Sequence, residues 1–407
     1  MMWRVICFIM VVCFSGSLLS QSILPVFYDT IAHDGQLSFN GGAFYHTSSI
    51  QNGIGDKFIF GGHITDEEKE ASFDKMENFN TFGGDLSGEL VYYHGKAVFS
   101  KYPDLSWKVS LGNSTVFGAE YHKDVFGLLM FGNKRYINQQ ANLNNSYGFY
   151  YSGTKLGVGL YNRKTKSAFT ANAVMVNNYW KVDMEQASFY TDSNGDELFV
   201  IGIGEVATTT GDFYNGMGFS FDFDHYIPIR TEGIMNGFVQ LTARNVGVAR
   251  LSEWHKTELS GTLNYKGFDL ASLTAQTEEN FVEQIQDSLG VRSSTGSQWI
   301  LLPGLFQIGK IVDAHSEQKL QSFFGARAYL TTVYRPMVYF GMHYRFSDNF
   351  AAGSQIAYGG FGGIRMGAYV SYTKDKLAFS LATEDVLGAL HSRQYGQSVL
   401  LGVNWRF

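Results

Sequence analysis

The sequence predicts an all-β fold: a transmembrane antiparallel β-barrel of about 14 strands, in a range of roughly 12–16, with short loop or lumen helices. Three observations carry this reading. The chain opens on an export signal, its composition is rich in aromatics and glycine but poor in proline, and apolar residues alternate along it to the final position.

The opening stretch, "MMWRVICFIMVVCFSGSLLSQS", places Arg4 before an apolar run from Val5 to Phe14, followed by Ser15, Gly16, Ser17 and Ser20. The run is too short for a membrane helix and reads as a secretory signal over residues 1–20, cut before Gln21, with a barrel domain over 21–407. Cys7 and Cys13 are the chain's 2 cysteines and both lie in the signal. Disulfide, zinc-thiolate and cysteine-nucleophile chemistry are therefore not expected of the mature chain. Arg4 is the only charged residue of the signal, so its removal makes the net charge of −6 one unit more negative. No basic stripe suggests nucleic acid as a partner.

Composition then selects among β folds. The chain has 34 Phe, 24 Tyr and 46 Gly against 5 Pro, at a mean hydropathy of −0.10. Apolar residues on one strand face, with no long apolar run beyond the signal, fit strands that cross a bilayer better than helices. A soluble sandwich also alternates, but its outward face is polar and its turns carry more proline.

Segments of period two follow in order. Leu37, Phe39, Gly41, Ala43 and Tyr45 share one side of "GQLSFNGGAFYH"; Leu86, Gly88, Leu90 and Tyr92 oppose Asp85, Ser87 and Glu89. Leu156, Val158 and Leu160 alternate with Gly157, Gly159 and Tyr161, and Phe219, Phe221 and Phe223 with Ser220, Asp222 and Asp224. In the C-terminal third, Val338, Phe340, Met342, Tyr344 and Phe346 face outward, as do Ile364, Met366, Val370 and Tyr372. The pattern is a meander with short turns at one end and longer connections at the other.

Three segments read as short helices. Thr65 and Glu68 have capping-box spacing ahead of Phe73 and Met76; Thr277 precedes Phe281, Ile285 and Leu289, with Gly290 closing; and "KDVFGLLMFGN" is opened by Asp124 and closed by Gly132. None can span a membrane, so each is a surface loop helix or a plug.

The last strand holds Val399, Leu401, Val403, Trp405 and Phe407 on one side. A closed barrel has no free edge, so this strand should pair with the first, Gly35–His46. Gly402, Trp405 and Phe407 resemble the C-terminal membrane-insertion signal of bacterial outer-membrane barrels, whereas Leu400 stands where that signal prefers a polar residue. The segments Phe131–Tyr136 and Ser297–Lys310 resemble a Bacteroidota outer-membrane β-barrel family of unassigned function. That family is similar to long-chain fatty-acid transporter barrels and type IX secretion accessory barrels. The resemblance runs from about Ile23 to the end and implies no catalytic residue.

No chemistry of an enzyme stands out. The histidines have no metal-ligand spacing, "GFSFD" lacks the second glycine of a nucleophile elbow, and no phosphate loop or cofactor motif occurs. "TDSNGDE", with Asp192, Asn194 and Asp196, reads as a hairpin turn rather than a calcium loop. Strand parity instead points Arg327, Arg345, Arg365 and Arg406 into the lumen, opposite Asp85, Glu89, Asp222 and Asp224. A charge facing mid-bilayer lipid costs about 2–4 kcal/mol, which favours this parity. The expectation is that these acids, or the acidic helix after Thr65, neutralise the four arginines. The functional expectation is a non-enzymatic outer-membrane barrel, either a restricted-lumen transporter or an accessory subunit of a secretion or assembly machine. An open diffusion porin is the alternative, and an outer-membrane lipid enzyme a third class. Expected partners are outer-membrane lipid, the barrel-assembly machinery during insertion, and other envelope proteins.

Overall fold

The computed structural model describes residues 26–27, 34–194, 197–231, 234–265, 286–313 and 316–407. The signal segment and most of the helix expected after Thr277 lie outside them, as do Gly195 and Asp196 of the expected turn.

Among these residues, one antiparallel sheet closes on itself as a barrel of 14 strands. In chain order they are β1 (Gly35–Thr47), β2 (Phe79–His94), β3 (Leu105–His122), β4 (Ser146–Asn162) and β5 (Ala168–Thr191). The sixth comes in two pieces, β6a (Leu198–Thr208) and β6b (Gly216–Thr231), and is followed by β7 (Ile234–Tyr265). The eighth is again split, into β8a (Arg292–Leu301) and β8b (Leu305–Asp313). Six short strands complete the wall: β9 (Leu320–Tyr329), β10 (Arg335–Arg345), β11 (Phe350–Gly360), β12 (Arg365–Lys374), β13 (Leu377–Thr383) and β14 (Gly396–Arg406). β14 closes onto β1 in the register Gly396↔His46 to Arg406↔Gln36. The last strand therefore satisfies the backbone of the first, as closure of a barrel requires.

The two splits have separate local causes. Between β6a and β6b, Asn215 clamps an outward loop: its amide donates to the carbonyls of Gly211 at 2.7 Å and Asn177 at 2.5 Å. Between β8a and β8b stands Leu302-Pro303-Gly304, where Pro303 has no N–H for the ladder. β7 runs unbroken past both, pairing with all four half-strands.

Parity assigns the two wall faces. Phe219, Phe221 and Phe223 on β6b, Val338, Phe340, Met342 and Tyr344 on β10, and Met366, Val370 and Tyr372 on β12 are all exposed. So large a continuous apolar surface is untenable in water. Aromatics mark both margins of this belt. Trp405, Phe407, Tyr344, Phe346 and Tyr372 lie at the end that carries the C-terminus, and Trp180, Phe213, Tyr214 and Trp299 at the level of the strand splits. Beyond the splits, β8a is exposed and polar from Arg292 to Gln298, and β5, β6a and β7 rise with it as a taller wall.

The long connections collect at the end opposite the C-terminus. The β1–β2 connection carries α1 (Asn52–Phe60), which the periodicity missed, and α2 (Asp66–Lys75). Thr65 and Glu68 form the capping box that caps α2. After β3 comes α3 (Lys123–Phe131) and a 3-10 turn, Gly132–Tyr136. His122, not Asp124, caps α3; the Asp124 carboxylate instead accepts from Tyr136 Oη at 3.1 Å and from the Asn142 N–H at 2.8 Å. Ile54, Phe73 and Phe126 pack with Phe82, Ala119 and Tyr121, on the outward parity of β2 and β3. These three helices thus cover the outside of the rim and do not enter the lumen. A last short helix, α4 (Val386–Leu390), precedes β14.

Candidate functional site

Two of the barrel's own loops turn inward and pack against side chains of the wall. At the end of β11 the sequence reads Gly359-Gly360-Phe361-Gly362-Gly363. Gly359 and Gly360 have φ of +104° and +75°, a conformation that side chains resist, and they turn the chain inward. Phe361 then lies fully buried against the inner face of the opposite wall, where a Cβ on Gly83 or Gly118 would meet its ring. Thr81 Oγ1 donates to the Phe361 carbonyl at 2.7 Å. The β9–β10 loop folds in beside it: Tyr334 meets Phe361 edge-on at 5.0 Å, and Val333 packs in the same cluster. Phe44, Val116 and Phe149 complete that cluster from β1, β3 and β4, with Phe323, Met337, Tyr339 and Tyr369 from the short strands. A second internal core, with Tyr151, Val174, Val176, Leu251, Trp254 and Leu302, fills the side of the tall wall.

Charges occupy three levels. Closest to the plug, Arg327 Nη1 donates to Glu384 Oε1 at 2.7 Å, and its Nε to Gln307 Oε1 at 3.2 Å. Arg365 Nη2 lies 3.6 Å from Glu384 Oε2, while Nη1 donates to the Gly359 carbonyl at 2.8 Å, at the turn that launches the plug. The Glu384 N–H donates to Ser398 Oγ at 2.6 Å, and Tyr329 Oη donates to Asp85 Oδ2 at 2.8 Å.

Nearer the C-terminal end, Lys155 Nζ bridges Asp222 at 2.7 Å and Glu89 at 3.4 Å. Arg244 Nη2 donates to both Asp224 oxygens, at 2.7 and 2.6 Å, and the Asn245 N–H to Asp222 Oδ1 at 2.7 Å. A bulge in β7 after Ala243 sets Arg244 and Asn245 in place for this. On the tall wall, Lys181 pairs with Glu205 and Asp183, at 2.8 and 3.1 Å, and Lys256 with Glu205 and Glu258, each at 2.7 Å.

Strand parity brought the right faces together but not the right pairs. Arg327 and Arg365 converge, yet on Glu384 rather than on the four acids. Those acids turn to Tyr329, Lys155 and Arg244 instead, and the acidic helix after Thr65 lies outside the wall. Arg345 and Arg406 sit at the far ends of β10 and β14. Glu384 was missed because it follows its strand rather than lying in it, so alternation gave it no face. Arg244 shares the face of Gln240 and Thr242, so alternation carried its direction but not its partner, Asp224. The run "GGFGG" was the available signal for the plug. Trp405 and Phe407 face outward and Gly402 is buried.

Between the plug and the tall wall is a cavity of about 400 Å³, lined by Tyr147, Tyr151, Tyr179, Trp254, Gln298 and Leu330 among others. Among the described residues no cluster of His, Cys, Asp and Glu could hold a metal.

No family model and no curated protein matches the sequence. Among solved structures, a mutant of the TodX monoaromatic hydrocarbon channel aligns over 93% of this chain and 91% of its own, at 9% identity and a TM-score of 0.40. The toluene transporter TodX of Pseudomonas putida aligns over 91% and 87%, at 9% identity and a TM-score of 0.36. The translocator domain of the autotransporter NalP of Neisseria meningitidis aligns over 93% and 90%, at 8% identity and a TM-score of 0.29.

Proposed function

We propose that this protein is a non-enzymatic β-barrel of the bacterial outer membrane that passes a solute through a lumen closed at rest by its own loops. The observation that carries the reading is that the β9–β10 and β11–β12 loops bury Val333, Tyr334 and Phe361 inside the barrel. A barrel that only needed filling could use rigid wall side chains. Here two short connecting loops add to the wall side chains, and the Phe361 loop hangs from a Gly359-Gly360 hinge, an element that can move as a unit while the hydrogen-bonded wall stays intact. The outward apolar belt selects lipid as the surrounding solvent, and insertion would depend on the barrel-assembly machinery through Gly402, Trp405 and Phe407. The charged groups around Glu384 and around Lys155 are proposed as lumen elements that fix the closed arrangement and line the path once it opens.

Planar-bilayer recording tests this. The wild-type protein should be closed most of the time, and Phe361→Gly should raise the open fraction at least severalfold. A well-folded Phe361→Gly barrel as silent as wild type would defeat the transport reading. Large steady conductance in wild type would favour the open porin. A second reading, an accessory subunit of an envelope machine, is favoured by the helical rim, where Phe58 and Leu129 are 68% and 75% exposed. It predicts no conductance in either protein and stable co-purification of other envelope proteins from native membranes.

A further inference from the structure

We infer that β8a is a docking edge for an extended segment of a second, different polypeptide, which joins the tall wall as one more strand. β8a pairs with β7 from Arg292↔Glu258 to Leu301↔Val248, and among the described residues its other edge pairs with no strand. The ladder between β8b and β9 runs up to Leu305↔Tyr329 and ends with the Leu330 N–H on the Gly304 carbonyl, at 2.7 Å. Above that point the chain turns inward, and the column above β9 is left open beside β8a. The opposite edge of the tall wall is treated differently: Gln140–Asn142 pairs with Ser188–Tyr190 of β5 and covers it.

The backbone sets the class of partner. A bare edge presents alternate N–H and C=O groups at the repeat of a strand, and another strand is the structure that matches them. Ten residues give about 33 Å of such edge. Edges that must stay unpaired are commonly short, or carry proline or inward charge. β8a, "RSSTGSQWIL", has no proline and no lysine, and its one charge, Arg292, stands at the far end.

The cavity of about 400 Å³ sets the side chains. Gln298 faces inward and Trp299 and Leu301 face outward, yet all three line it. Opposite faces of one strand reach the same space around its free edge, so the cavity opens at that edge. A strand added there points every second side chain into the cavity, toward the half-buried Tyr147 and Tyr179 and the exposed Leu330. Lys181, Lys256 and Glu205 also line it, but each already has an ionic partner within 3.1 Å. The segment that fits is therefore uncharged and apolar on its inward side.

Membrane geometry argues against a second copy as the occupant. Two copies inserted the same way are related by an axis along the membrane normal. That axis gives their β8a strands the same sense and, at a strand tilt of about 35–45°, crosses them by about twice the tilt. Strands crossed so steeply do not form a ladder. A segment of another polypeptide is free of this constraint. It would bind beyond the lipid belt, where Arg292 to Gln298 are exposed and polar, and would touch the Leu330 end of the β9–β10 loop.

The probe is a capped, fluorescent peptide of alternating Thr and Phe, titrated onto the full chain in lipid nanodiscs and followed by anisotropy. Two further peptides carry backbone N-methyl groups on every Thr or on every Phe, which blocks one strand edge or the other. The parent peptide should saturate, and one methylated form, not both, should bind about tenfold or more weakly. Register is read by disulfide trapping in a chain with Cys7→Ser and Cys13→Ser. A peptide with Cys for its central Phe should link to Ser294→Cys or Gly296→Cys, on the cavity face, and not to Thr295→Cys on the other. A Cβ at Gly296 meets nothing within 4 Å, so that variant keeps the strand; heat-modifiable gel migration verifies each barrel. No saturable binding, or binding indifferent to both methylations, would overturn the inference, as would binding abolished by either or equal trapping at Thr295→Cys. Disulfide-linked dimers of Gly296→Cys alone in vesicles would give the edge to a second copy and overturn it too. None of these readouts is conductance, so this inference and the transport reading fail separately.

Discussion

Replacing Glu384 with Gln removes one negative charge and little volume from the point where Arg327 and Arg365 meet. The carboxylate is 2% exposed, with guanidinium nitrogens at 2.7 and 3.6 Å. At an effective dielectric near 20, those separations correspond to gross attractions of about 6 and about 5 kcal/mol. Desolvation of the three groups offsets much of this, and breaking a buried pair from one side typically costs about 3–5 kcal/mol. The variant should fall in that range, because two buried arginines are left facing an amide that cannot neutralise them. The assay is urea unfolding of the barrel in lipid vesicles, read by tryptophan fluorescence and by gel migration. A companion variant replaces Glu384, Arg327 and Arg365 together by Leu, Met and Met. It should recover most of the loss, since an apolar replacement of a buried ionic cluster is often neutral. If Glu384→Gln unfolds within about 1 kcal/mol of wild type, the cluster is hydrated and the lumen is not closed at that level.

Arg365→Ala should lower the unfolding temperature and, in the closed lumen, leave ion selectivity alone; a shift toward cations without loss of stability would place Arg365 in an open water path. Gly118→Val puts side-chain carbons where Val333 and Phe361 now pack, and should cost about 1–3 kcal/mol as overpacking while raising conductance in planar bilayers. A destabilised but still silent barrel would mean that the plug does not move as a unit. Deleting Phe407, or replacing Trp405 with Asp, should lower the amount of heat-modifiable barrel recovered from outer membranes; unchanged recovery would locate the insertion signal elsewhere.

The sequence by itself determined the wall. A strand's period of two is a local property, and any residue that must face lipid has to be apolar wherever its partners lie. Val338 to Phe346 and Phe219 to Phe223 could therefore be assigned an outward face one strand at a time. Closure of β14 on β1 followed from the cost of a bare edge. The capping box at Thr65 was legible for the same reason, since its two hydrogen bonds span three residues. Only the tertiary structure decided what fills the inside. Glu384 and Arg327 are 57 residues apart, and Tyr329 and Asp85 are 244 apart. Such pairings depend on which strands face each other across the lumen, a relation that alternation does not encode. Bulges and splits add to this, because each resets the parity, as between Ala243 and Val246. The plug is the extreme case: Phe361 is outside any strand, and its burial is fixed by two left-handed glycines and by the missing side chains of Gly83 and Gly118 on the far wall.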